Sequence, residues 1–133
     1  VALRWDDGAV AGSILVVDDD AAVRGLVVRI LRSWGHAVIG EAGSVAEALR
    51  CAATMHPDIV LVDIGLPDGD GFALTLELRT RFRASRVVIF SSDADRANAA
   101  AAERAGAVAF LPKDQLSSPT LRRLLEEGAD GAD

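Results

Sequence analysis

Five short apolar runs, rich in β-branched residues, alternate along the chain with segments in which apolar residues recur every three or four positions. The first pattern predicts buried strands and the second predicts amphipathic helices. The strand runs are Ile14 to Asp18, Ala37 to Glu41, Asp58 to Asp63, Arg86 to Ser91 and Ala107 to Leu111. After the first run, Val23, Leu26, Val27, Ile30, Leu31 and Trp34 form a helical stripe, with Asp20 placed to cap its start and Gly35 to stop it. The next helix opens on Ser44-Val45-Ala46-Glu47, a capping box in which each end residue can satisfy the other's free backbone donor. Its inner face is Val45, Ala48, Leu49 and Ala52, and Pro57 keeps it from running into the third strand.

A third helix follows Gly71, with Leu74, Leu78 and Phe82 on one ridge. The fourth, from about Asp95 to Ala105, is nearly all alanine; it has high helix propensity but little bulk to bury, so it is expected to be the least firmly packed element. Ser118-Pro119, a cap followed by proline at the first helical position, starts the fifth, which runs to about Glu127.

Strict strand-helix alternation implies a parallel sheet covered by helices on both faces, because parallel strands need crossover connections. The expected organisation is a leader of uncertain structure over residues 1–12, one domain over 13–127 and an acidic tail over 128–133. At 133 residues the chain has room for one domain and one core.

In open α/β sheets ligands bind at the carboxyl ends of the strands. There this chain carries Asp18, Asp19 and Asp20 after the first strand, Asp63 closing the third, Ser91 closing the fourth and Lys113 just beyond the fifth. Taken singly these are ordinary: aspartate after a strand is usually a cap, serine a loop residue, lysine a solvated charge. Taken together they are not. If the first and third strands are neighbours, Asp18, Asp19 and Asp63 converge, and two unit charges about 4 Å apart repel by roughly 4 kcal/mol at an effective dielectric near 20. A divalent cation relieves this, and an all-oxygen donor set suits Mg²⁺ or Mn²⁺ better than zinc. A carboxylate nucleophile beside a metal, a lysine and a hydroxyl is suited to phosphoryl transfer. Asp63, ending the apolar strand Ile59-Val60-Leu61-Val62, is the expected nucleophile.

Composition narrows the choice. The net charge is −6, and basic residues cluster only in Arg79 to Arg86 and in Arg122 with Arg123, so direct binding to nucleic acid phosphates is not expected. The single Cys51 cannot form an internal disulfide and reads as a small helix-face hydrophobe. No apolar run approaches the roughly 20 residues needed to span a bilayer, and the start lacks a basic signal-peptide region, which gives a cytoplasmic expectation without membrane association.

Four motifs then make the chain resemble the two-component response-regulator receiver family over nearly all of Ser13 to Glu127. They are Ile14-Leu15-Val16-Val17-Asp18-Asp19-Asp20; Asp58 through Gly71, with Asp63-Ile64-Gly65-Leu66-Pro67 at its centre; Val88-Ile89-Phe90-Ser91-Ser92; and Gly106 through Lys113. The resemblance, to single-domain chemotaxis-type regulators in particular, implies a flavodoxin-like (βα)5 three-layer sandwich with strand order 2-1-3-4-5. It implies Mg²⁺ held by Asp19, Asp63 and the backbone carbonyl of Gly65 with Asp18 nearby. It implies transfer of a phosphoryl group to Asp63 from a sensor histidine kinase or phosphotransfer protein, with Ser91 and Phe110 at the switch positions. A downstream protein target then reads the surface of the fourth helix, fifth strand and fifth helix, and oligomeric state can change with phosphorylation. Such a protein assists its own phosphorylation and dephosphorylation without turning over a separate substrate.

Two departures stand out. Most of the family has proline after the lysine, commonly behind a cis bond, whereas Lys113 here precedes Asp114; a cis bond there would cost about 2.5–4 kcal/mol, so a trans bond and a different path into the last loop are expected. Phe110 lacks the hydroxyl of a tyrosine, which leaves packing alone to drive its rotation.

Other readings fit less well. A haloacid-dehalogenase-type phosphatase would use Asp18-Asp19-Asp20 as its Asp-x-Asp, but wants Thr or Val where Ala22 stands and a further acidic pair after the lysine. A phosphorylation-independent docking module would not need the full acidic, hydroxyl and lysine set. Asp68-Gly69-Asp70-Gly71 resembles a calcium loop, but Phe72 occupies the next ligand position, so a turn is expected. His36 and His56, without ligand partners at suitable spacing, are expected on the surface.

Overall fold

The computed structural model describes residues 12–92 and 95–130, which leaves residues 1–11 of the expected leader and residues 131–133 of the tail outside the described residues. Five parallel strands form one sheet: β1 (Ser13–Val17), β2 (Ala37–Ala42), β3 (Ile59–Asp63), β4 (Arg86–Ser91) and β5 (Ala109–Pro112). Their order is β2-β1-β3-β4-β5, so the chain reverses direction across the sheet between β1 and β3. Five helices connect or follow them: α1 (Ala21–Ser33), α2 (Val45–Met55), α3 (Gly71–Arg81), α4 (Arg96–Ala105) and α5 (Pro119–Asp130). This is the expected flavodoxin-like order. Among the described residues no helix is long and apolar enough to cross a membrane.

Strand alternation divides the core in two. Ile14, Val16, Leu61, Val88 and Phe90 pack with Val27, Val28 and Leu31 of α1 and with Leu121 and Leu125 of α5. Leu15, Val17, Val60, Val62, Val87 and Ile89 pack on the other face with Ala48 and Ala52 of α2, Leu74 and Leu78 of α3 and Ala102 of α4. Because β1 and β3 are covered on both faces they read as continuous apolar runs, and Ile14 through Val17 are at most 1% exposed.

The helix starts follow the sequence with two refinements. Asp20 accepts from the backbone N–H groups of Ala22 and Val23 as the N-cap of α1. At α2 the Ser44 hydroxyl accepts from Glu47 N–H at 3.1 Å, but the Glu47 carboxylate reaches back to Gly43 N–H at 2.7 Å, one residue earlier than a capping box requires. Two further free donors at that helix start, Val45 and Ala46, are taken by the Asp68 carboxylate at 2.7 and 3.0 Å. Asp68 lies at the tip of a two-residue antiparallel ribbon, Gly65–Leu66 with Gly69–Asp70, and Asp70 caps α3. The expected turn is therefore present, and it ties the loop after β3 to α2.

α4 buries only alanine side chains among its described residues, Ala102 and Ala105, in keeping with its expected weak packing. β5 begins two residues later than its apolar run. Gly106 takes a positive φ of 96°, and Ala107 N–H closes back onto Ala102 O, so Ala107 completes the end of α4 instead of entering the sheet. α5 extends three residues beyond Glu127, to Asp130.

His36 corrects the surface expectation. It is 4% exposed, with its ring 6.4 Å from Trp34 in an edge-on arrangement, whereas His56 is exposed as expected. Gly35, at φ 91°, turns the chain so that His36, one residue before β2, is buried within the electrostatic reach of Arg122 and Glu126 of α5. Burial, with Arg122 assisting and Glu126 opposing, lowers its pKa and favours the neutral ring.

Gly71 is required by contact. A Cβ there would lie 2.6 Å from the carbonyl oxygen of Asp63 and 2.8 Å from Ile64 Cα, both backbone atoms that cannot yield without moving the end of β3. Gly25, inside α1, has an ordinary helical backbone, and a Cβ added there would meet nothing within 4 Å. We expect Gly71→Ala to destabilise the protein by about 1–3 kcal/mol through overpacking, and Gly25→Ala to stabilise it by about 0.5–1 kcal/mol. Urea denaturation of both variants checks the pair; equal and small effects would mean that α3 can retreat from Asp63 freely.

Candidate functional site

The carboxyl ends of β1, β3 and β4 and the turn after β5 bring Asp18, Asp19, Asp63, Ser91 and Lys113 to one edge of the sheet. Val17 pairs with Val62 across β1 and β3, so the residues that follow each, Asp18 and Asp63, leave the sheet side by side. One carboxylate oxygen from each of Asp18, Asp19 and Asp63 lies within 4.8 Å of the other two. The three consecutive aspartates thus divide their work, since Asp20 turns away to cap α1.

Asp18 is fully buried, Asp63 is 6% exposed and Asp19 is exposed. Asp18 Oδ1 accepts from Asp20 N–H at 2.9 Å. Its Oδ2 has the Lys113 ammonium at 3.3 Å as a charge partner but no well-directed hydrogen bond. Lys113 Nζ also lies 3.4 Å from Asp63 Oδ2, so one ammonium is shared by two carboxylates. Lys113 Nζ also lies over the Phe90 ring, 5.7 Å from its centroid, a cation–π contact that favours the charged ammonium there.

Burial and neighbouring charge together set the proton affinities of the cluster. Burial first, then the Asp18 carboxylate and more weakly Asp19, push the Asp63 carboxyl above its ordinary value, and the pull of Lys113 does not cancel them. For Lys113, burial alone would lower the pKa, but attraction to Asp63 and Asp18 together outweighs it and raises the value. A single ammonium is therefore insufficient compensation for the cluster. The all-carboxylate donor set, with a buried oxygen of Asp18 lacking a directed partner, fits a hard divalent cation such as Mg²⁺ or Mn²⁺.

This arrangement on a five-stranded parallel sheet can be compared with known proteins. The family described as the response regulator receiver domain matches residues 14–126. The chain belongs to the response-regulator receiver family. As a receiver domain it resembles the signal receiver domain of the putative response regulator NarL of Mycobacterium tuberculosis, with a TM-score of 0.81, 30% identity, and coverage of 89% of this chain and 96% of that one. A CheY-like receiver domain protein of Methanospirillum hungatei superposes with a TM-score of 0.78 at 25% identity, over 91% of this chain and 98% of that one. The transcriptional regulatory protein PdtaR of Mycobacterium tuberculosis is 33% identical over 107 residues, 80% of this chain and 52% of that protein. A protein-glutamate methylesterase/protein-glutamine glutaminase of Hahella chejuensis is 35% identical over 116 residues, 85% of this chain and 33% of the relative. The receiver chain thus spans from a third to about half of these curated relatives.

The remaining expected site residues sit around the same edge. Ser91 is 6% exposed at the end of β4, one position beyond Phe90, the register partner of Asp63. Phe110 is half-buried, pairs with Ile89 and packs on the α2-α3-α4 side, the face that Ser91 continues by alternation. Gly65 is exposed two residues after Asp63, at the start of the ribbon. Among the described residues there is no cis bond, so the bond from Lys113 to Asp114 is trans as expected, and the chain leaves Lys113 through a short 3-10 turn, Lys113–Gln115. Pattern reading missed two residues that hold the site: Asp68, whose partners on α2 are more than twenty positions away, and Arg24, which donates to the carbonyl of Asp18.

A raised Asp63 pKa has a definite sign. Between the unfolded and folded values the native state binds more protons, so stability falls as pH rises through that window, and the cost is fully present above the folded pKa. Without divalent cations Asp63→Asn should therefore melt higher than wild type at pH 7, with the gap closing as pH drops towards the ordinary aspartate value of 3.8. Thermal melts in a chelator across that range check it; a gap independent of pH would assign the effect to something other than charge.

Proposed function

We propose that this receiver accepts a phosphoryl group on Asp63 from the phosphohistidine of a histidine kinase or phosphotransfer protein, in a reaction that depends on Mg²⁺ or Mn²⁺. The observation that carries the reading is the position of Asp63: nearly buried at the end of a central strand, 3.4 Å from Lys113 Nζ and within one cation's reach of Asp18 and Asp19. Asp18, Asp19 and Asp63, with the backbone carbonyl of Gly65, would hold the ion, as the resemblance implies. When bound, it neutralises charge shared between the carboxylates and the incoming phosphoryl oxygens.

In the transfer an Asp63 carboxylate oxygen attacks phosphorus as the phosphorus-nitrogen bond of the donor breaks, and the imidazole leaves with the electron pair. Lys113, already shared by Asp18 and Asp63, exchanges a carboxylate contact for a phosphoryl oxygen. Ser91 supplies a hydroxyl to a second phosphoryl oxygen, and its movement opens space on the face where Phe110 packs. α4, anchored by two alanines, shifts at little cost, so the surface of α4, β5 and α5 changes shape for a downstream protein target. The chain acts as an acceptor and switch, not as a catalyst turning over a separate substrate. A net charge of −6 does not favour direct contact with nucleic acid.

Incubation with acetyl phosphate and Mg²⁺ should add one phosphate by intact mass, and the adduct should vanish in Asp63→Asn and when the cation is chelated. In the modified protein, amide exchange should change between Ser91 and Leu125 as well as beside Asp63. An adduct that persists in Asp63→Asn would refute the assignment, and exchange confined to the site would refute the switch.

A further inference from the structure

One side chain beside the acidic cluster has no part in the chemistry above. Arg24, on the first turn of α1, points back towards β2. Its Nη1 donates to the carbonyl oxygen of Asp18 at 2.6 Å, and its Nε pairs with Glu41 Oε1 on β2 at 3.1 Å. The carbonyl it grips belongs to the peptide that joins Asp18 to Asp19. That short segment is fixed at two further points, Asp18 N–H on Ala42 O at 3.0 Å and Asp20 N–H on Asp18 Oδ1 at 2.9 Å. Gly43 leaves room for the guanidinium, since a Cβ there would stand 3.3 Å from Nη1. The side chain of Arg24 is 21% exposed and that of Glu41 44%, so this is a partly screened clamp from α1 to β2 with the aspartate peptide in its grip.

We propose that Arg24 is a positioning residue for the cation site: anchored on Glu41, it sets the Asp18–Asp19 peptide so that both carboxylates can face one ion. The inference rests on the reading of the acidic cluster as a cation site. Geometry and charge here pull in opposite directions, which makes the proposal decidable. A guanidinium acting only through its charge repels a nearby cation, so neutralising it would tighten Mg²⁺ binding. A guanidinium acting as a clamp would, when removed, let the peptide turn and weaken binding.

The test is a titration of MgCl₂ into the uniformly ¹⁵N-labelled, chelator-stripped chain, following the amide shifts of residues 18–20 and 63–65 in wild type, Arg24→Met, Arg24→Lys and Asp19→Asn. We expect Arg24→Met to weaken Mg²⁺ about tenfold, the low end of what contacts that orient metal ligands contribute. Arg24→Lys keeps the charge but not the planar fork that spans Asp18 and Glu41, and should also bind more weakly than wild type. Equal or tighter binding in Arg24→Met, or wild-type binding in Arg24→Lys, overturns the proposal. If Arg24→Met does not fold, Arg24→Lys decides alone. A wild-type protein whose Mg²⁺ response is absent, or survives in Asp19→Asn, overturns the underlying cation-site reading as well, and that outcome is distinct from a normal site indifferent to Arg24.

Discussion

Repulsion among Asp18, Asp19 and Asp63 is the constraint around which much of this molecule is arranged, because their carboxylates lie within 4.8 Å of one another and two of the three, Asp18 and Asp63, are buried away from screening water. Lys113 answers part of that charge by standing between Asp18 and Asp63, while burial first and the Asp18 and Asp19 carboxylates after it still hold the Asp63 carboxyl above its ordinary value. A group of this kind is held ready for positive charge. The cost is borne by the two-sided core of β1 and β3, whose strands are locked by apolar packing on both faces and fix the backbone positions from which Asp18 and Asp63 project.

Around that cluster the loops after β1 and β3 are tied down by polar contacts made elsewhere in the fold. Arg24 and Ala42 hold the peptide after β1. The segment after β3 is pressed by Gly71, whose missing side chain lets α3 start against the carbonyl of Asp63, and its far end is fastened by Asp68 to the start of α2. Those two donors lower the pKa of Asp68, so the fastening is present above the ordinary aspartate range and loosens as pH falls through the lowered value. The side facing α4 is built differently, with alanine methyls against the sheet and the half-buried ring of Phe110. Rigidity at the acidic edge and slack at α4 together suit a device in which a small change at Asp63 is read some distance away.

Much of this was legible in the sequence because it is local or periodic. Apolar runs ending in Asp18, Asp63 and Ser91 mark strands and their functional ends in one stroke, and Asp20, Ser44 and Ser118-Pro119 mark helix starts. Strand order came from the family resemblance, since alternation alone does not say which parallel strands are neighbours. What stayed hidden depends on tertiary proximity. The carboxylate of Asp68 finds α2 across the fold, Arg24 reaches a carbonyl that any side chain could have served, and His36 is buried because of the turn that Gly35 makes and the helix that returns over it. Hydrophobic periodicity and capping patterns do not carry that information.

Locating the ion shows whether the strand-end carboxylates form one cation site on Asp63. Substoichiometric Mn²⁺ added to the ¹⁵N-labelled protein broadens the amides nearest to it. The expected result is broadening centred on residues 18–20 and 63–65, abolished by Asp63→Asn or by excess Mg²⁺. Broadening centred instead on Asp68 and Asp70, or spread evenly over the acidic surface, would contradict it.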